Sequence, residues 1–145
     1  MNRSVDEIIS ALSAFEPVDD AADNVHRLNE ILAGHAASAG AADALFALLE
    51  RFPAADFGTP APLVQALEAQ AAYPALLARS LERQPTELGA WMANRLLNSA
   101  LAGEERQAWL RRLTAVATQP RAAAPVRESA IRFLDFQASR SGRPR

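Results

Sequence analysis

Apolar residues recur along almost the whole chain at the 3.6-residue spacing of an amphipathic helix, and no segment alternates β-branched and polar positions as a half-buried strand would. The pattern predicts an all-α protein. A first helix is expected over about 4–15, where Ser4 and Glu7 form a capping-box pair and Val5, Ile8, Ile9, Leu12 and Phe15 make the stripe. Glu16-Pro17 ends it. A second, about 24–35, opens on Asn24 and presents Val25, Leu28, Ile31 and Leu32. A third, about 41–52, presents Leu45, Leu48, Leu49 and Phe52 and stops before Pro53.

Thr59 has the character of an N-cap, with Pro60 at the first helical position and Leu63, Val64 and Leu67 on one face to about residue 70. Tyr73, Leu76, Leu77 and Leu81 mark a fifth helix ending before Pro85. Thr86 caps a sixth, with Leu88, Trp91, Met92 and Leu96 as its apolar side. Trp109, Leu110, Leu113 and Val116 mark a seventh over about 104–118, and Val126, Ala130, Phe133 and Leu134 an eighth from about Pro125. About eight amphipathic helices with short connections suggest antiparallel pairs stacked as a HEAT/armadillo-like α-solenoid, the alternative being a compact helical bundle. One domain over 1–138 is expected, followed by a flexible tail over 139–145, SRSGRPR.

Composition narrows the chemistry. At 145 residues the chain can bury a core without staples, and with no cysteine it has neither disulfides nor thiolate metal sites. No apolar run reaches the roughly 20 residues of a membrane span, and the N-terminus has no signal-peptide pattern, so a cytoplasmic location is expected. Net charge is only −2, yet residues 1–70 carry 11 Asp/Glu against 3 Arg (net −8) and residues 71–145 carry 6 against 12 (net +6). An acidic half can attract and steer a basic partner, or simply be a solvated surface.

Candidate catalytic motifs do not hold together. Asp56-Phe57-Gly58 matches a kinase's magnesium triplet, but the chain has no lysine, no sheet pattern and too little length for that fold. A tight inter-helix turn explains it better: Gly58 supplies permissive dihedrals and Thr59 caps the next helix. His26 and His35 lie nine residues apart, a spacing that suits no metal motif on a helix. No nucleophile elbow accompanies the serines, and the acidic pairs Asp19-Asp20 and Glu104-Glu105 fall at loops or helix starts. No catalysis, cofactor or metal is expected. Arg106, Arg111, Arg112, Arg121, Arg127 and Arg132 are numerous enough for a phosphate-binding face, but acids are interspersed and the pI is about 5.7, so direct nucleic-acid binding is not favoured.

On a helical wheel Arg95 falls between Leu88 and Trp91, inside the expected apolar stripe, with Asn94 and Asn98 on its flank. A charge there needs a partner. Asp56 is the expected carboxylate, locking two helix pairs together.

The run LLERFPAADFGTPAPLVQALE at 48–68, then Pro85-Thr86 and WMANRLLN at 91–98, resembles a bacterial family of HEAT-like α-helical proteins that includes immunity proteins of contact-dependent growth inhibition and related polymorphic-toxin systems. The resemblance covers about residues 45–136, with departures at Ala61 (glycine in the family), Gln65 (histidine) and Ala93 (a larger apolar residue). It implies a toxin inhibitor that binds the C-terminal domain of a cognate toxin, commonly a nuclease, and covers its active site or substrate path. Asp56, Gly58, Pro60, Trp91, Asn94, Arg95 and Asn98 are then expected to build the fold, while Asp19, Asp20, Asp23, Glu30 and Asp43 are the expected partner contacts. The alternative is a non-catalytic helical adaptor with an endogenous protein partner.

Overall fold

The computed structural model describes residues 5–32, 39–55, 64, 67–68, 72–99, 101 and 103–141. Among them are seven α-helices and no strand: α1 (Val5–Ser13), α2 (Ala21–Leu32), α3 (Ala39–Arg51), α4 (Tyr73–Arg83), α5 (Glu87–Leu97), α6 (Gly103–Thr118) and α7 (Ala124–Ser141). The helix expected over about 59–70 lies mostly outside the described residues; Val64, Leu67 and Glu68 are helical. Helix packing runs mainly between near neighbours in sequence, α1 against α3, α3 against α4, α4 against α5, and α5, α6 and α7 against one another. Ile8, Leu12, Leu45, Phe46, Leu48, Leu49, Leu77, Met92, Leu113 and Val126 form one continuous core through these layers.

Local chemistry sets the boundaries. The start of α2 corrects the sequence reading, because Asp20, not Asn24, caps it: its Oδ1 accepts from the Ala22 and Asp23 amides at 2.9 and 3.3 Å. Asn24 lies one turn inside the helix and is fully buried. Its side chain accepts from Val18 N and donates to Val18 O, both at 2.8 Å, and so stitches the preceding loop to the helix as a strand neighbour would. Pro85 follows Gln84, which is extended at φ −156° as a residue before proline must be, so α4 stops there. At the other end of the chain α7 continues through Ser141, beyond the start of the expected tail. Ser4 of the expected capping pair, His35 and residues 142–145 lie outside the described residues.

Thr86 caps α5 as expected, its Oγ1 accepting from Gly89 N at 2.9 Å. Pro53 O accepts from Glu87 N at 2.8 Å, so the turn after α3 satisfies one of the orphan amides at the start of α5. Gly89 is required by close approach: a Cβ there would stand 2.6 Å from Thr86 Oγ1 and 3.1 Å from Leu81 Cδ2. Gly89→Ala gains roughly 1 kcal/mol of helix propensity, but displacing the cap and overpacking α4 outweigh it. A net loss of about 1–2 kcal/mol is expected, read as a fall of roughly 3–6 °C in Tm. A rise in Tm would refute this tight crossing.

Arginines serve repeatedly as caps on distant helix ends. Arg51 donates to Leu12 O at the end of α1 (3.0 Å), Arg106 to Leu97 O at the end of α5 (3.0 Å), and Arg121 to Arg83 O and Glu82 O at the end of α4 (3.0 and 3.1 Å). Each cation meets the negative end of a helix dipole and carbonyls of the last turn. The forked guanidinium suits this task, since one side chain can serve two acceptors.

Candidate partner-binding surfaces

The described arginines of the N-terminal half are spent on carbonyls and rings. Arg27 donates to Glu16 O at 2.9 Å and lies 4.3 Å over the Phe15 ring; Arg51, besides Leu12 O, lies over Phe52. Among the described residues neither forms an ion pair with a carboxylate around α2. Asp19, Asp20, Asp23, Glu30 and Asp43 are all exposed. Asp19 and Asp23 have no ion pair among the described residues, Asp20 holds the α2 cap, and Glu30 lies 3.7 Å from His26 one turn earlier, with both side chains well exposed. Asp43 has a local role as well: Arg83 is held above the usual guanidinium range chiefly by its hydrogen bonds to Glu50, with the fields of Glu50 and Asp43 adding to them. Asp19, Asp20, Asp23 and Glu30 thus form an exposed acidic stretch along α2 and the residues before it, with Asp43 exposed on α3.

The helix bearing WMANRLLN is rotated from its expected setting. Its buried face is Leu88, Gly89, Ala90, Met92, Ala93 and Leu97, and Trp91 and Leu96 are half-buried. The small residues Gly89, Ala90 and Ala93 let neighbouring helices approach, which the wheel could not register because it weighed large apolar residues. Arg95 is therefore exposed, not buried in the stripe: its side chain is 52% accessible. It pairs with Glu68 at 2.7 Å and lies 5.7 Å from the Trp91 ring. Asp56, Gly58 and Pro60 lie outside the described residues, and with them the expected Asp56 clamp. Beside the Arg95–Glu68 pair, Tyr73 has a buried hydroxyl; burial first, then the Glu68 charge, pushes its pKa up, while Arg95 opposes them.

Asn94 and Asn98 do something the sequence reading missed. Gln137 of α7 is fully buried and donates through Nε2 to Asn94 Oδ1 (2.8 Å) and Asn98 Oδ1 (2.9 Å), while its Oε1 accepts from Arg106 at 3.0 Å. One amide thus joins α5, α6 and α7. The signal was present in the stripe Val126, Ala130, Phe133, where the next core position at helical spacing is Gln137. In a second polar tie Glu50 of α3 accepts from Ser80 (2.7 Å) and from Nε and Nη2 of Arg83 (3.1 and 2.8 Å) on α4. A third joins Glu87 of α5 to Ser129 of α7 at 3.1 Å, with Arg132 donating to the same hydroxyl.

Most of the arginines that suggested a phosphate-binding face have hydrogen-bond partners within the protein. Arg106, Arg121, Arg127 and Arg132 all donate inside the fold. Arg111 and Arg112 instead border a groove of about 340 Å³ between α4 and α6, with buried Leu81, Pro85 and Val116 at its base. Among the described residues no group of three or more His, Asp or Glu side chains is arranged to hold a metal ion, and no helix is long and apolar enough to cross a membrane.

The class that this fold and these surfaces define is an all-α protein tied together by buried polar networks. Compared with family models, curated proteins and solved structures, the chain matches none.

Proposed function

We propose that this protein is a non-catalytic immunity protein of the cytoplasm, which binds the C-terminal domain of a cognate bacterial toxin and neutralises it by covering the active site or the path of its substrate. The helices stack as antiparallel, HEAT-like pairs in this reading, presenting one extended surface. The observation that carries it is the exposed acidity at the start of α2: Asp19, Asp20 and Asp23 face solvent with no ion pair among the described residues, while Arg27 and Arg51 direct their hydrogen bonds to backbone carbonyls. A nuclease must present cationic surface to the phosphates of its substrate. A cluster of exposed carboxylates competes for that surface by the same electrostatics, accelerating encounter and rejecting partners of like charge.

The test is genetic and direct. The toxin domain encoded by the neighbouring reading frame is expressed in cells with and without this protein. Survival of the cells that carry both, together with co-purification of the two chains, is the expected result. Death despite soluble expression of both would defeat the reading and leave the adaptor function.

A further inference from the structure

We infer that the groove between α4 and α6 is a docking site for an acidic amphipathic helix presented by a partner protein. The inference does not depend on the toxin reading, because this surface has the opposite charge and lies in the other half of the chain.

The groove has the shape of a helix seat. On α6 it is lined by Ala108, Arg111, Arg112, Ala115 and Val116, the i, i+3, i+4, i+7, i+8 stripe of one helix face, with Gln119 just past the helix end. At 1.5 Å per residue that stripe runs about 12 Å, a little over two turns of an occupant laid alongside. Across from it α4 contributes Ala78 and Leu81. The alanines on both walls leave room for a second backbone, and an apolar ridge on the incoming helix would cover Leu81, Pro85 and Val116.

Charge selects the occupant. Arg111 is exposed and has neither a carboxylate nor a carbonyl partner among the described residues, unlike Arg106, Arg121 and Arg127, which are committed to helix or loop carbonyls. Its neighbour Arg112 is held over the Trp109 ring at 4.5 Å, fixed in place without being neutralised. Glu82 is the single acid among the described lining residues. Carboxylates flanking the apolar ridge of an incoming helix would meet two guanidiniums on the α6 side, and the positive field of residues 71–145 (net +6) would draw such a segment in.

The probe is a fluorescein-labelled helical peptide of Leu, Ala and Glu, with leucines at i, i+3, i+4 and i+7 and glutamates on both flanks. Its controls are the same peptide with Lys for Glu and a scramble of identical composition. Fluorescence anisotropy against the full chain should show saturable binding of the acidic peptide, about tenfold or more above either control and weakened by added salt. Arg111→Glu with Arg112→Glu should reduce that binding at least tenfold, and so should Ala115→Glu, an exposed helical position where the fold tolerates the change. Circular dichroism verifies that each variant folds. Equal binding of the Lys peptide, no saturable binding, or affinity unchanged in both variants overturns the inference. So does a concentration-dependent dimer in light scattering that Ala115→Glu dissociates, since the occupant would then be a second copy. None of these results bears on rescue from a toxin, which the acidic face governs.

Discussion

Gln137→Leu is expected to destabilise the protein by about 2–4 kcal/mol, although leucine is of similar size and Gln137 is fully buried. By transfer energy alone the change should help, since an amide leaves a dry site. The loss arises in the groups left behind. The Arg106 guanidinium loses the Gln137 acceptor and keeps Leu97 O, and half-buried Asn94 loses a donor where water reaches poorly. Asn98, which is exposed, recovers a partner from solvent. Urea unfolding measures the loss as a lower midpoint at unchanged slope. Adding Asn94→Leu should restore part of the stability, because the orphaned carbonyl is removed with it, and a double-mutant cycle should give a coupling of about 1 kcal/mol or more. A loss under about 0.5 kcal/mol would mean that the amide is dispensable to the junction of α5, α6 and α7.

The helices were legible because burial follows period, and the departures follow from what period omits. Ile8, Leu12, Leu28, Leu45, Leu48, Leu77, Leu113 and Val126 lie in the core where their spacing puts them. Thr86 was readable as a cap because its hydroxyl, one residue before a helix start, has one amide to serve. Asn24 was misread because Asn suits a cap equally well, and only the tertiary position of Val18 turns it into a loop staple. Arg95 was misplaced because a wheel weighted by large residues ignores Gly89, Ala90 and Ala93, which are buried for being small. The arginine caps and the Gln137 junction join residues 9 to 43 positions apart, a separation that no local pattern encodes.

If the protein acts as the toxin inhibitor proposed above, neutralising the exposed acids should cut association with the toxin domain by about 10- to 100-fold at low salt, the other large effect expected here. The combined change Asp19→Asn, Asp20→Asn, Asp23→Asn, Glu30→Gln and Asp43→Asn removes five charges with little change of shape. Asparagine at position 20 still caps α2, so the fold should persist. The effect belongs to the encounter rate because these side chains are exposed, and rim charges steer approach more than they hold the complex together. It should shrink at high salt as the Debye length falls to roughly 3 Å at 1 M. The decisive measurement is stopped-flow association of the purified toxin domain with the wild-type and five-fold neutralised proteins across a salt series. The wild type should bind faster with a steep salt dependence, and the neutralised protein should bind slowly with a shallow one. Equal rates and equal slopes for two folded proteins would contradict capture of a basic toxin through the acidic face.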